Sequence, residues 1–211
     1  MNNIQICESL VRGIYEKFDA SHDFQHIERV RKNAEIIMDG ERPVNKEIIH
    51  LAILLHDVSD PKYSGNEGKQ KETSILNQLN LTKQDREWIE EIIQSVSFSG
   101  GIEKEAYTLE AKIVRDADRL DAIGAVGIAR TFAYGGAKGR KLYDWSETAR
   151  YNMSEEEYRN VKTASVTHFY EKLLLLKDLM ITTTGKQMAQ QRHEFMLTFL
   201  EQLQLETSED K

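Results

Sequence analysis

The chain has 211 residues, 40% of them hydrophobic and 30% charged, with a formal net charge of −7. That composition suits a soluble domain with a full core, and it argues against a disulfide scaffold or a general binder of nucleic acid. Cys7 is the single cysteine, so no intrachain disulfide can form and a reducing, cytoplasmic setting is expected.

The first residues, MNNIQICESLVRGIYEKF, are too charged for a signal peptide, and no apolar run approaches the ~20 residues of a membrane span. Their spacing predicts a helix over 4–18. Ser21 is placed to cap a second helix that runs to Met38. Ile27, Val30, Ala34 and Ile37 form its buried stripe, and His22 and His26 lie four apart on one face. A Gly-Glu-Arg-Pro turn separates it from a third helix over 45–57, which is apolar nearly all round and therefore central.

That third helix ends in His56-Asp57. A helix C-terminus already carries partial negative charge, so His56 suits it and Asp57 does not. Neighbours diverge by ~100° on a helix and cannot simply pair with each other. A cation from elsewhere, an arginine or a metal ion, resolves the conflict. Taken alone, the doublet fits a hydrated helix end equally well.

After the loop SDPKYSGNEG, helices are expected over 66–79 and 83–95, then the loop SFSGG. One long helix is expected over 109–133. Within it Asp116, Asp118 and Asp121 interrupt Ile113, Val114, Ala117, Leu120, Ile123 and Val126. Asp116 and Asp118 project ~200° apart, so at least one aspartate points inward. A buried carboxylate needs a cation or strong donors. YGGAKGRKLYDWSET reads as a basic, aromatic, glycine-rich loop, and SEEEY at 154–158 fits a capping box of Ser154 with Glu157. The last helices are expected over 163–180 and 186–203, with residues 206–211 a disordered tail. The fold class is all-α, seven or eight helices in one domain over residues 1–205.

His26, His56-Asp57 and Asp118 make two imidazoles and two carboxylates. That set suits a borderline divalent ion such as Mn, Fe, Co or Zn rather than the oxygen-only cage of Ca.

A histidine on an early helix, a His-Asp doublet ending an apolar helix, and the distant aspartate of DADRLDAIGA resemble the HD-domain metal-dependent phosphohydrolases. DFQHIERV, LLHDVSD, VRDADRLDAIGAVGIARTFAYGG, THFYEKLLLLKDLM and QRHEFM, in that order, resemble their YedJ/YpgQ-like bacterial branch from about Asp23 to Phe199. The resemblance implies a compact HD-domain helical bundle. It implies His26, His56, Asp57 and Asp118 as metal ligands, with Asp121 the alternative to Asp118 or an orienting residue. Manganese is the leading ion, with Co, Fe, Ni, Zn or Mg as substitutes. Positions 58–115 contain no histidine, which favours one ion over a histidine-bridged pair.

The substrate implied is anionic, a nucleotide, most specifically a nucleoside (deoxy)triphosphate cleaved to monophosphate and pyrophosphate. Asp57 or Glu67 would orient the water and Arg119 would stand beside the phosphate. Lys62, Arg130, Lys138, Arg140, His168 and Lys172 are the candidate substrate contacts, and Gly135, Gly136 and Gly139 offer backbone N–H groups. A surface loop accounts for those glycines as readily, and Phe132, Tyr134, Tyr143 and Trp145 fit a core as well as a base-stacking platform. A phosphomonoesterase or 5'-nucleotidase, an alarmone hydrolase and a nucleotide-binding sensor are the competing readings. No membrane and no stable nucleic-acid partner are expected, and a homodimer is compatible with the sequence.

Overall fold

The computed structural model describes residues 1–18, 23–60, 64–96, 105–150 and 163–208. Nine α-helices and no strand occur among them, which matches the all-α expectation and exceeds the expected helix number slightly. No helix among the described residues is long and apolar enough to cross a membrane. The chain divides into two compact units, Met1–Asp118 and Arg119–Lys211.

The first unit begins with α1 (Asn3–Tyr15), closed by a reciprocal cap in which Asn2 Oδ1 accepts from the Gln5 amide and Gln5 Oε1 accepts from the Asn2 amide. α2 (Phe24–Gly40) starts at Asp23, whose Oδ1 accepts from the His26 amide at 3.1 Å. Ser21, His22, the SFSGG loop and the SEEEY segment lie outside the described residues. The expected stripe of Ile27, Val30, Ala34 and Ile37 is fully buried.

α3 (Lys46–Leu55) is capped by Asn45, and every residue from Ile48 to Leu55 is buried. It packs on α1, on α2 and on α5, with α4 (Gly68–Gln78) and α5 (Lys83–Val96) completing this side of the unit. Burial on all sides makes α3 the fixed post of the unit. The doublet His56-Asp57 follows directly, with His56 as the C-cap. α6 (Leu109–Asp121) then carries Asp118 at the end of the first unit.

The single helix expected over 109–133 is two. α6 stops at Asp121, and α7 (Gly124–Ala137) begins at a glycine with φ +75°, a conformation that costs an L side chain strain. The Arg192 stem also lies across Gly124, where a Cβ would come within 2.9 Å of Arg192 Cγ. α7 runs through Gly135 and Gly136 to Ala137, so the first four residues of the expected glycine-rich loop are helical; a Cβ on Gly135 would overlap Ser165 Oγ.

The helix expected over 163–180 is also divided. α8 (Ser165–Glu171) ends at Lys172, where the backbone leaves the helical region, and a 3-10 segment covers Leu173–Leu179. α9 (Thr183–Thr207) extends past the expected end at residue 203 and packs on α7 and the 3-10 segment. Phe132, Phe169 and Phe199 meet with ring centroids 5.8–6.2 Å apart, which makes Phe132 part of this unit's aromatic core. Tyr143 stacks on Trp145, whose indole N–H donates to Thr207 Oγ1.

Candidate metal centre

Three helix ends deliver the site, all within the first unit. His26 lies in the first turn of α2, held by the Asp23 cap, and His56 and Asp57 follow the last turn of α3. Asp118 lies near the C-terminal end of α6. His26 Nε2 and His56 Nε2 stand 3.3 Å apart. Asp57 Oδ2 is 3.3 Å from His56 Nε2 and 3.5 Å from His26 Nε2. Asp118 Oδ1 is 3.5 Å from His26 Nε2 and 3.7 Å from His56 Nε2.

The donors of His26, His56 and Asp118 gather closely enough for one ion, and Asp57 Oδ2 lies beside both imidazoles. Donors held about 2.0–2.2 Å from a common metal stand roughly 3.0–3.6 Å apart in octahedral or tetrahedral arrangements. The His56 imidazole is also set as a ligand. Its Nδ1 lies 2.8 Å from the Ile53 carbonyl, which can only accept, so Nδ1 carries a proton and Nε2 is the atom turned into the cluster. Both imidazoles are buried, while the Asp118 side chain keeps about a third of its surface (32%), leaving a route for solvent and substrate.

The electrostatics ask for a cation. Burial opposes charge on His56, but the Asp57 and Asp118 carboxylates outweigh it and push its pKa up to about 10. Burial likewise opposes ionisation of Asp118, yet His56 and His26 hold its carboxyl below the usual range. A divalent ion satisfies the same two carboxylates without a proton.

The surrounding backbone is tied down. The Asn33 amide donates to the Ala117 carbonyl at 3.0 Å, fixing α6 one residue before Asp118. Burial, reinforced by Asp57 and Asp118, keeps the Tyr15 phenol well above its ordinary pKa, so its hydroxyl stays a donor; it donates to the Leu54 carbonyl at 3.1 Å. Neither residue was foreseen as functional. Asn33 left a trace, a polar side chain three residues after Val30 and four before Ile37 on a buried face. Tyr15 left none.

The other candidates are distributed differently. Glu67 is exposed and pairs with Lys71 at 3.3 Å; the buried carboxylate of that region is Glu72, which takes the Lys69 ammonium at 2.6 Å. Lys62 lies outside the described residues. In the second unit, Arg119 donates to the Leu179 carbonyl. Arg130 donates to Asp121 twice, to Oδ2 at 2.7 Å and to the carbonyl at 3.1 Å, while Arg192 donates to the Leu120 carbonyl. Asp121 is thus a buried anchor at the end of α6. Lys138 and Arg140 approach the Tyr134 ring, with their charged ends 5.7 and 5.5 Å from its centroid.

His168 belongs with those cations. Burial pushes its pKa down to about 4, and Lys172 and Arg140 add to the effect. A folded-state value below the ordinary 6.5 means that the unfolded chain takes up the proton first as pH falls. Stability is therefore lost between about pH 6.5 and pH 4. The loss is at most about 3 kcal/mol. His168→Gln is expected to remove that part of the acid sensitivity, read as a flatter urea midpoint against pH over the same window.

The pattern of the HD domain matches residues 23–123, the segment that holds all four donors. YpgQ of Bacillus subtilis is 37% identical over 199 residues, 92% of this chain and 88% of that protein. An HD-superfamily hydrolase from Bacillus thuringiensis superposes with a TM-score of 0.73 at 41% identity, covering 97% of this chain and 94% of the other. A Lactobacillus plantarum protein gives 0.83 at 35% identity, covering 97% and 96%. The chain belongs to the HD domain family, in its YpgQ-like branch, and is an HD-superfamily hydrolase.

Proposed function

We propose that the protein is a metal-dependent phosphohydrolase that cleaves nucleoside triphosphates, ribo or deoxy, to monophosphate and pyrophosphate. The observation that carries this reading is the grouping of His26, His56 and Asp118, with each carboxylate oxygen of Asp57 and Asp118 that faces the imidazoles 3.3–3.7 Å from their nitrogens. Support for a nucleotide comes from YpgQ, which has been crystallised in complex with ADP and superposes with a TM-score of 0.75 at 33% identity over 98% of both chains.

His26, His56, Asp57 and Asp118 would hold the ion, with manganese the first choice. Once bound, the ion supplies Lewis acidity to a phosphoryl oxygen and to water. The chain does the rest. The Ile53 carbonyl fixes the ring of His56, and Asp118, the most accessible of the four, stands at the solvent side. Asp57 is proposed to orient the attacking water as well as to ligate. Water attacks the α-phosphorus, a new P–O bond forms, the bond to the α,β-bridging oxygen breaks, and pyrophosphate leaves with that oxygen.

Lys138, Arg140, His168 and Lys172 are the proposed phosphate contacts of the second unit. Lys172 and Arg140, which add to the lowering of the His168 pKa, give this unit a local positive charge. Arg130 is better assigned to Asp121, and Glu67 to the surface, on the partners they hold. We place the protein in the cytosol, in keeping with its single buried, unoxidised thiol.

The test is to strip the protein of metal, restore Mn, Co, Mg or Zn in turn, and separate the products from a nucleotide panel. Monophosphate plus pyrophosphate supports the proposal. Nucleoside plus phosphate would assign a nucleotidase instead, and no turnover with any ion would leave a sensor.

A further inference from the structure

The doublet sits where a helix is hardest to hold still. The last carbonyls of α3 must be closed from outside the regular ladder, Leu55 by the Val58 amide at 3.0 Å and Ile53 by His56 Nδ1 at 2.8 Å, and Asp57 adds negative charge beside them. One of those carbonyls, Leu54, is reached by the Tyr15 hydroxyl from α1 at 3.1 Å. That oxygen belongs to a side chain with no exposure to solvent and holds the carbonyl two residues before His56.

The Tyr15 ring is itself fixed. It meets Phe18 edge-on at 5.2 Å and Phe24 at 6.2 Å. Phe24 is the first residue of α2 and stands two positions before His26. The side chain therefore touches two of the three helix ends that supply donors, α3 by a hydrogen bond and α2 by packing.

We propose that Tyr15 is a positioning residue for the metal centre: its hydroxyl closes the C-terminus of α3 and sets the direction in which His56 and Asp57 present their donor atoms. The proposal rests on the metal-binding reading above. Groups that orient ligands without touching the ion are worth about 10–100-fold in metal affinity.

The test compares Mn(II) binding, by titration calorimetry on the metal-stripped full chain, among wild type, Tyr15→Phe and Val11→Ala. Tyr15→Phe deletes one oxygen and keeps the ring. Val11, one turn earlier on α1 and fully buried, gives a control that loosens the same helix and keeps the Tyr15 hydroxyl in place. Tyr15→Phe is expected to weaken binding about 10–100-fold. Val11→Ala, at a similar loss of melting temperature, is expected to bind Mn(II) like wild type. Wild-type affinity in Tyr15→Phe, or an equal loss in Val11→Ala, would overturn the positioning role while the metal centre stands. A wild-type chain that binds no divalent ion would overturn both.

Discussion

Asp118→Ala is expected to abolish metal retention and turnover together. The substitution removes one of two anionic donors and leaves two imidazoles with Asp57. Loss of an inner ligand costs more than loss of an orienting group, so affinity should fall by more than about 100-fold. The folded chain should survive, because the Asp118 side chain is partly exposed and the Asp57 carboxylate still faces both imidazoles. The measurement is metal content after dialysis, with melting temperature recorded with and without Mn(II). Wild type should gain stability on adding the ion by mass action, and the variant should not. Retained metal in Asp118→Ala would remove Asp118 from the ligand set.

Asp121→Ala should do the reverse. Its carboxylate is buried against Arg130 and lies in the field of Arg192, which burial otherwise disfavours as a cation. Removing the anion leaves two guanidinium groups uncompensated at the junction of α6 and α7, and breaking a buried pair in this way costs about 3–5 kcal/mol. A large fall in the urea midpoint is expected, with Mn(II) affinity within a few-fold of wild type under folding conditions. The pair of variants separates two aspartates one helical turn apart: 118 for the ion, 121 for the fold. An Asp121→Ala chain that keeps its stability and loses its metal would exchange their roles.

The doublet and its partners were legible because they violate a rule. A carboxylate at the end of an apolar helix is unfavourable unless something positive meets it, and the structure gathers His26, His56 and Asp118 with Asp57 beside both imidazoles. The all-α class was legible from periodicity and the scarcity of proline. The break at Gly124 was not, because Ala122, Gly124, Ala125 and Gly127 continue a helical pattern and only the backbone reveals the positive φ. The break at Lys172 was hidden for the same reason, since the leucines that follow suit an α-helix as well as a 3-10 segment. Glu67 was singled out by its distance from the doublet along the chain. Exposure decides such matters, and it favours Glu72 as the buried acid of that region, a distinction that two glutamates five residues apart do not advertise. Tyr15 was illegible in principle: nothing in GIYEKF says which carbonyl a phenol will meet.

Cys7 gives the protein an internal clock. The thiol is fully buried on α1, and burial lifts its pKa to about 12, so at neutral pH it is neither reactive nor reachable while that helix is docked. Alkylation must wait for α1 to open, and its rate then counts openings of the helix that carries Tyr15. On the proposed roles of the metal centre and Tyr15, an ion that locks α3 and α2 would also lock α1 through that tyrosine. The lifetime of one sulfhydryl against a small alkylating reagent therefore becomes a report, from inside the core, on whether the centre is filled.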